Sequence, residues 1–120
     1  MRVKAIATQL LALGYTDVFA YNMPAELKSA ILVVSWVPAE IHPDIYGYRI
    51  GEFTVVVRDP NYETGIALSK EIGDALTGEG QTLSGVYFMF IRAKHEPMVF
   101  PRSEGNGVEF AVNYQCRFID

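Results

Sequence analysis

The sequence over residues 108–119 is VEFAVNYQCRFI. Apolar and polar side chains alternate along it, which is the two-residue period of a β-strand with one buried face. A strand of this length predicts that a sheet forms the main layer of the protein. The side chains predicted on its buried face are Val108, Phe110, Val112, Tyr114, Cys116 and Phe118.

Three more strands are predicted upstream. Residues 48–58 alternate in the same way, 30–37 form an almost continuous apolar run rich in β-branched residues, and 86–93 are again mainly apolar. Residues 38–47 contain two prolines and a glycine, so they are predicted to form a loop. The sequence Gly-Glu-Gly at 78–80 is predicted to be a turn.

Two amphipathic helices complete the pattern. Apolar residues from Val3 to Leu13 recur at three- and four-residue spacing, and Gly14 follows as a C-terminal cap. Asp59 followed by Pro60 predicts the start of a second helix, which would run to about Thr77. The helical residues predicted to pack on the sheet are Ile6, Leu10, Leu13, Ile66, Ile72 and Leu76.

These elements predict one α+β domain over residues 1–120. Its core would be a single antiparallel or mixed β-sheet of about four strands, with two helices packed on one face. A chain of this length can bury roughly two-thirds of the surface that it exposes when unfolded, so no metal or disulfide is needed to explain folding.

Composition excludes several function classes. The net charge is −4, and the ten Lys and Arg residues are dispersed, so the basic surface that grips a nucleic-acid backbone is not expected. The single cysteine excludes an intrachain disulfide. No stretch approaches the roughly 18 apolar residues of a membrane-spanning helix.

No catalytic, cofactor or metal site is predicted. His42 near Asp44 and His95 beside Glu96 have neither the helical spacing nor the extra ligands of a metal site. Cys116 lies in the apolar register of the last strand, which is typical of a buried small side chain. We therefore expect His42, His95 and Cys116 to be replaceable without loss of assembly.

The two longest loops carry the candidate functional residues. Residues 94–107 are far longer than a hairpin needs, and loops of this kind are functional or disordered. Apolar residues in such loops either return to their own core or contact a neighbour, and we interpret these residues as an interface between subunits. The candidate interface residues are Ile41, Ile45 and Tyr46 in the first loop and Met98, Val99, Phe100, Arg102 and Glu104 in the second.

From about residue 30 onward the chain resembles the tail terminator and minor capsid proteins of long-tailed bacteriophages. The resemblance lies in FTVVVRD at 53–59, the helix over 62–76, RAKHEP at 92–97 and the ending RFID at 117–120. It implies a virion protein, assembled in the host cytoplasm, that forms a hexameric ring at the head-proximal end of the tail. The implied partners are other copies, the major tail tube protein and a head-completion or connector protein, with DNA passing through the lumen without specific binding.

Two other classes remain open from the residues alone. One is a small soluble enzyme or ligand-binding α+β domain with a pocket between helix and sheet. The other is a partner-binding module of a toxin or secretion system. A shared fold does not separate these classes, because function depends on the site.

Overall fold

A computed structural model describes residues 3–101 and 107–120. The long strands β4 (Tyr48–Asp59) and β8 (Val108–Ile119) pair in antiparallel fashion over twelve residues each, from Tyr48 opposite Ile119 to Asp59 opposite Val108. This ladder forms the centre of the sheet. Its inner face holds the apolar residues expected from the alternation, and Phe53, Val55, Val57, Phe110, Tyr114 and Phe118 are all at most 2% exposed.

The remaining strands build outward from this ladder. On the β4 side lies β2 (Ala30–Val34), followed by β1 (Val18–Ala20), which pairs with β2 in parallel. On the β8 side lie β6 (Val86–Ala93) and then β5 (Gly78–Leu83). Two short strands pair with the ends of the ladder, namely β3 (Glu40–Ile41) with β4 and β7 (Met98–Pro101) with β8.

The prediction of about four strands is therefore wrong, because the described residues form a mixed sheet of eight strands. The four predicted strands are the adjacent central ones, in the order β2, β4, β8 and β6. The missed strands have two to six residues, too few for a clear alternation, and they lie at the sheet's margins. Pairing with a longer neighbouring strand, rather than a local sequence pattern, makes β1, β3 and β7 strands.

The structure also differs from the sequence prediction at the end of one strand and at the position of one turn. The strand predicted over 30–37 ends at Val34, which leaves Trp36 and Val37 exposed. The predicted turn at 78–80 is instead part of β5, where Gly80 has φ of +63°. The actual turn is at Ser84 and Gly85, whose φ values of 48° and 81° match a two-residue hairpin turn.

Helix α1 (Val3–Ala12) ends one residue earlier than predicted. Gly14 takes the left-handed conformation with φ of +100°, as expected of a residue that ends a helix. Ile6 and Leu10 are fully buried, but the prediction that Leu13 packs on the sheet is wrong, because Leu13 lies beyond the last helical turn and is half exposed.

Helix α2 (Tyr62–Leu76) begins later than predicted. Asp59 is the last residue of β4, and the N-cap is Asn61, whose Oδ1 accepts a hydrogen bond from the Thr64 N–H at 3.0 Å. Ile72 and Leu76 are buried and Ile66 is partly buried. Both helices join one core with the inner face of the sheet, and α1 contacts both β1 and β5, so the sheet curves around α1.

Candidate subunit interfaces

The first candidate surface, here the loop patch, consists of Ile41, Ile45 and Tyr46. Their exposed fractions are 70%, 48% and 101%, so none of the three returns to the protein's own core. His42 stabilises the loop, because its Nδ1 accepts hydrogen bonds from the backbone N–H groups of Asp44 and Ile45, both at 3.1 Å. An ordered turn therefore presents these apolar side chains to solvent.

The second candidate surface, here the arm patch, consists of Met98, Val99 and Phe100 of β7. Their exposed fractions are 39%, 39% and 49%. They belong to an edge strand, which pairs with β8 on one side. Arg102 and Glu104, the other candidate residues of the second loop, lie outside the described residues.

The two patches lie at opposite ends of the central ladder. Ile41 is opposite Arg49 at the start of β4, whereas Met98 is opposite Ala111, which in turn is opposite Val56. Arg49 and Val56 are seven residues apart on one strand, a distance of about 23 Å at the usual rise per residue. The structure therefore brings the candidate residues together as two separate surfaces rather than as one site.

Sequence reasoning missed a third exposed apolar surface, formed by Trp36 and Val37, which are 71% and 53% exposed. Both line a groove of about 140 Å³ on the sheet face opposite the helices, together with Thr54 and Asn113. The sequence signal that could have indicated their exposure is Pro38, directly after the pair. A proline disfavours continuation of a central strand, so the strand ends before it.

The residues with reactive side chains are held in structural roles. His95 Nε2 accepts a hydrogen bond from the Asn113 N–H at 3.3 Å. Cys116 is 1% exposed, and burial raises the pKa of its thiol to about 12, so the thiolate is suppressed at neutral pH. Over residues 3–101 and 107–120, no group of three or more His, Cys, Asp or Glu side chains could hold a metal ion.

A cleft of about 330 Å³ lies between α2 and the connection from β6 to β7. Its floor includes Tyr114, whose hydroxyl is buried without a hydrogen-bond partner among the described residues. Burial, and then the nearby carboxylate of Asp74, raise the pKa of Tyr114 to about 12, so its hydroxyl stays protonated. In the part of the chain that the structure describes, no helix is long and apolar enough to cross a membrane.

A sheet with several exposed apolar surfaces and with its reactive groups in structural roles is typical of an assembly protein. The family model described as "Bacteriophage tail terminator protein" matches residues 6–118. The chain therefore belongs to the bacteriophage tail terminator family. It is a structural tail protein and a component of the virion, as the resemblance noted from the sequence implied.

A solved structure has the same fold. A chain in the virion of a native gene transfer agent particle superposes with a TM-score of 0.72 at 15% identity, covering 99% of this chain and 95% of that one. A second solved chain, 18% identical, reaches a TM-score of only 0.49 over 94% of this chain and 88% of its own length. No protein of curated function matches the sequence at a significant level.

Proposed function

We propose that the chain forms a closed ring, a hexamer, that caps the head-proximal end of the tail tube and offers its other side to the head. The observation that carries the proposal is the separation of the loop patch from the arm patch along one ladder. A closed ring needs a heterologous interface, in which one surface of each copy contacts a different surface of the next copy. Two unlike apolar patches on one rigid sheet meet that requirement.

The exposed patches leave apolar side chains of the isolated protomer in contact with water, which favours association. Burial of one large apolar side chain contributes roughly 1.5–3 kcal/mol, so covering even a few of these residues supports a stable contact. Met98, Val99 and Phe100 also belong to an edge strand, and exposed apolar edges promote association. In this proposal the arm patch of one copy contacts the loop patch of the next copy.

The charge of the chain fits a ring through which DNA passes. Each copy has a net charge of −4, so it repels the phosphate backbone of DNA at separations shorter than the screening length of the salt solution. A lumen lined by such copies would let DNA slide without specific binding. The work of the protein in this proposal is surface contact, with no covalent step and no cofactor.

The test is assembly in solution and on tubes. We expect native mass spectrometry to give six copies, either free or after addition to purified tail tubes, and we expect the added protein to stop tube elongation. A loop-patch variant (I41S/Y46S) and an arm-patch variant (M98S/F100S) should each remain folded and fail to cap tubes. L11S is the matched control, because Leu11 is 51% exposed on α1 and outside both patches. Normal capping by either patch variant would contradict the role of that patch.

A further inference from the structure

The cleft between α2 and the β6–β7 connection has an acidic rim. Asp74 of α2 and Glu96 of the connection face it from opposite sides, and both are exposed. Lys70 and His95 also line the cleft, so two carboxylates face one fixed cation and one histidine. Neither Asp74 nor Glu96 forms an ion pair within residues 3–101 and 107–120, where the ion pairs are Arg58–Glu109 and Lys94–Glu52.

Two arginines lie over the same phenylalanine ring on the other face of the sheet. The guanidinium carbon of Arg92 lies 4.4 Å from the centre of the Phe90 ring, and that of Arg117 lies 5.8 Å from the same ring. Arg117 also donates a hydrogen bond to the Tyr48 hydroxyl at 3.1 Å. Neither arginine has an ion-pair partner in the described part of the chain, so two positive charges are held by one ring and one hydroxyl without a counter-charge.

The arginine pair and the acidic cleft lie on opposite faces of one strand. Arg92 is opposite Gln115 and Ala93 is opposite Tyr114, and successive residues of a strand point to opposite faces. Ala93 therefore lines the cleft on the helix side, while Arg92 points away from it. A protomer cannot pair these groups internally, but a neighbour stacked on its sheet face can.

We propose that Arg92 and Arg117 of one copy insert into the Asp74–Glu96 cleft of the next copy, as the charged part of a head-to-tail contact. The inference rests on the proposed ring and identifies which faces meet in it. The occupant is a second copy because the two arginines on one face and the two carboxylates on the other are complementary in charge, and a contact between two unlike surfaces repeats in one direction around a ring. The cleft has room for the apolar stem and planar head of an arginine over its Tyr114 floor.

The test exchanges the charges on the two sides. We expect R92E/R117E and D74R/E96R each to weaken ring formation at least about tenfold, measured by native mass spectrometry and sedimentation, with unchanged thermal unfolding. The four substitutions combined should restore the ring. An equimolar mixture of the two double variants should also form rings of alternating copies, because each junction then joins opposite charges. Matched controls are K28E and E26R, which change exposed charges elsewhere.

Three outcomes would overturn the inference. Rings that tolerate both double variants would show that this contact is absent, although the proposed function would stand. Loss of rings without recovery in the combined variant would show that the two surfaces do not meet. Intact rings with reduced binding of double-stranded DNA in R92E/R117E would show that these arginines bind DNA and not a neighbouring copy. A wild-type protein that forms no ring alone or on tubes would refute the proposed function itself.

Discussion

Strand β7 and the part of β8 that pairs with it are both mainly apolar, yet they have opposite environments. Val99 is opposite Phe110, and Val99 is 39% exposed whereas Phe110 is fully buried. Phe110 lies in a strand with neighbours on both sides and a helix above it, while β7 pairs on one side only. Position in the sheet, rather than apolar composition, therefore determines which residues stabilise the fold and which remain available to a partner.

The largest effect on folding is expected at Phe110. Replacement by alanine should lower the free energy of unfolding by about 3–5 kcal/mol, because the ring is buried against Tyr62 and Gly65 of α2 and its loss leaves a cavity. Chemical denaturation measures the change, and Tyr62→Ala, at a half-exposed position, is the milder comparison. A loss below about 1 kcal/mol would contradict the central role of β8.

Raising the pH from 8 to 11 should lower the free energy of unfolding of the protein by an amount on the order of 3 kcal/mol. The pKa of Cys116 is raised from 9.0 to about 12, so only the unfolded chain loses this proton readily between those values. The contribution is complete below pH 9 and is lost as pH rises toward 12. Urea unfolding from pH 8 to 11 measures the slope, which should be shallower in Cys116→Ser. Equal slopes would refute the assignment to Cys116.

Gly65→Ala should cost about 1–3 kcal/mol, although alanine favours helices. A Cβ at Gly65 would overlap the Phe110 ring, so the helix would have to move away from the sheet. Gly73→Ala is the matched control in the same helix, since its Cβ would meet only the Tyr114 hydroxyl, at 3.3 Å. Thermal unfolding of the two variants tests this order, and a more stable G65A protein would contradict the close packing of α2 on β8.

Tyr114→Phe should leave stability unchanged or raise it by about 1 kcal/mol. The Tyr114 hydroxyl is buried without a partner among the described residues, so its removal abolishes a desolvation cost while the ring stays stacked on Phe53. Denaturant midpoints measure the effect. A clear loss of stability would show that the hydroxyl is satisfied in solution, for example by a bound water molecule.

The smallest effect on folding is expected at Phe100. Its side chain is 49% exposed, so Phe100→Ala should change the free energy of unfolding of the protomer by less than about 1 kcal/mol. The same change should abolish ring or tail assembly if the arm patch contacts a neighbour. Sedimentation and tube-capping assays measure assembly. Intact assembly with a stability loss like that of Phe110→Ala would refute the interface.

The sequence predicted the long elements well and the short ones poorly. Val86–Ala93 and Val108–Ile119 were predicted with their observed bounds, because alternation over eight to twelve residues is a strong signal. Gly78–Leu83 was missed because its two glycines resemble a turn, although pairing with β6 makes it a strand. Candidate residues such as Tyr46 and Phe100 could be predicted from apolar side chains in long loops, but their exposure could not.

Sequence alone determined the central layer of this protein: two long alternating strands, their apolar inner face and two helices whose stripes match that face. These are local properties, since a side-chain period depends only on neighbouring residues. Tertiary structure alone decided the number of strands, the parallel pairing of β1 with β2 and the separation of the two apolar patches. It also placed Arg92 and Asp74 on opposite sides of the sheet, because register and packing join residues that are distant in the chain.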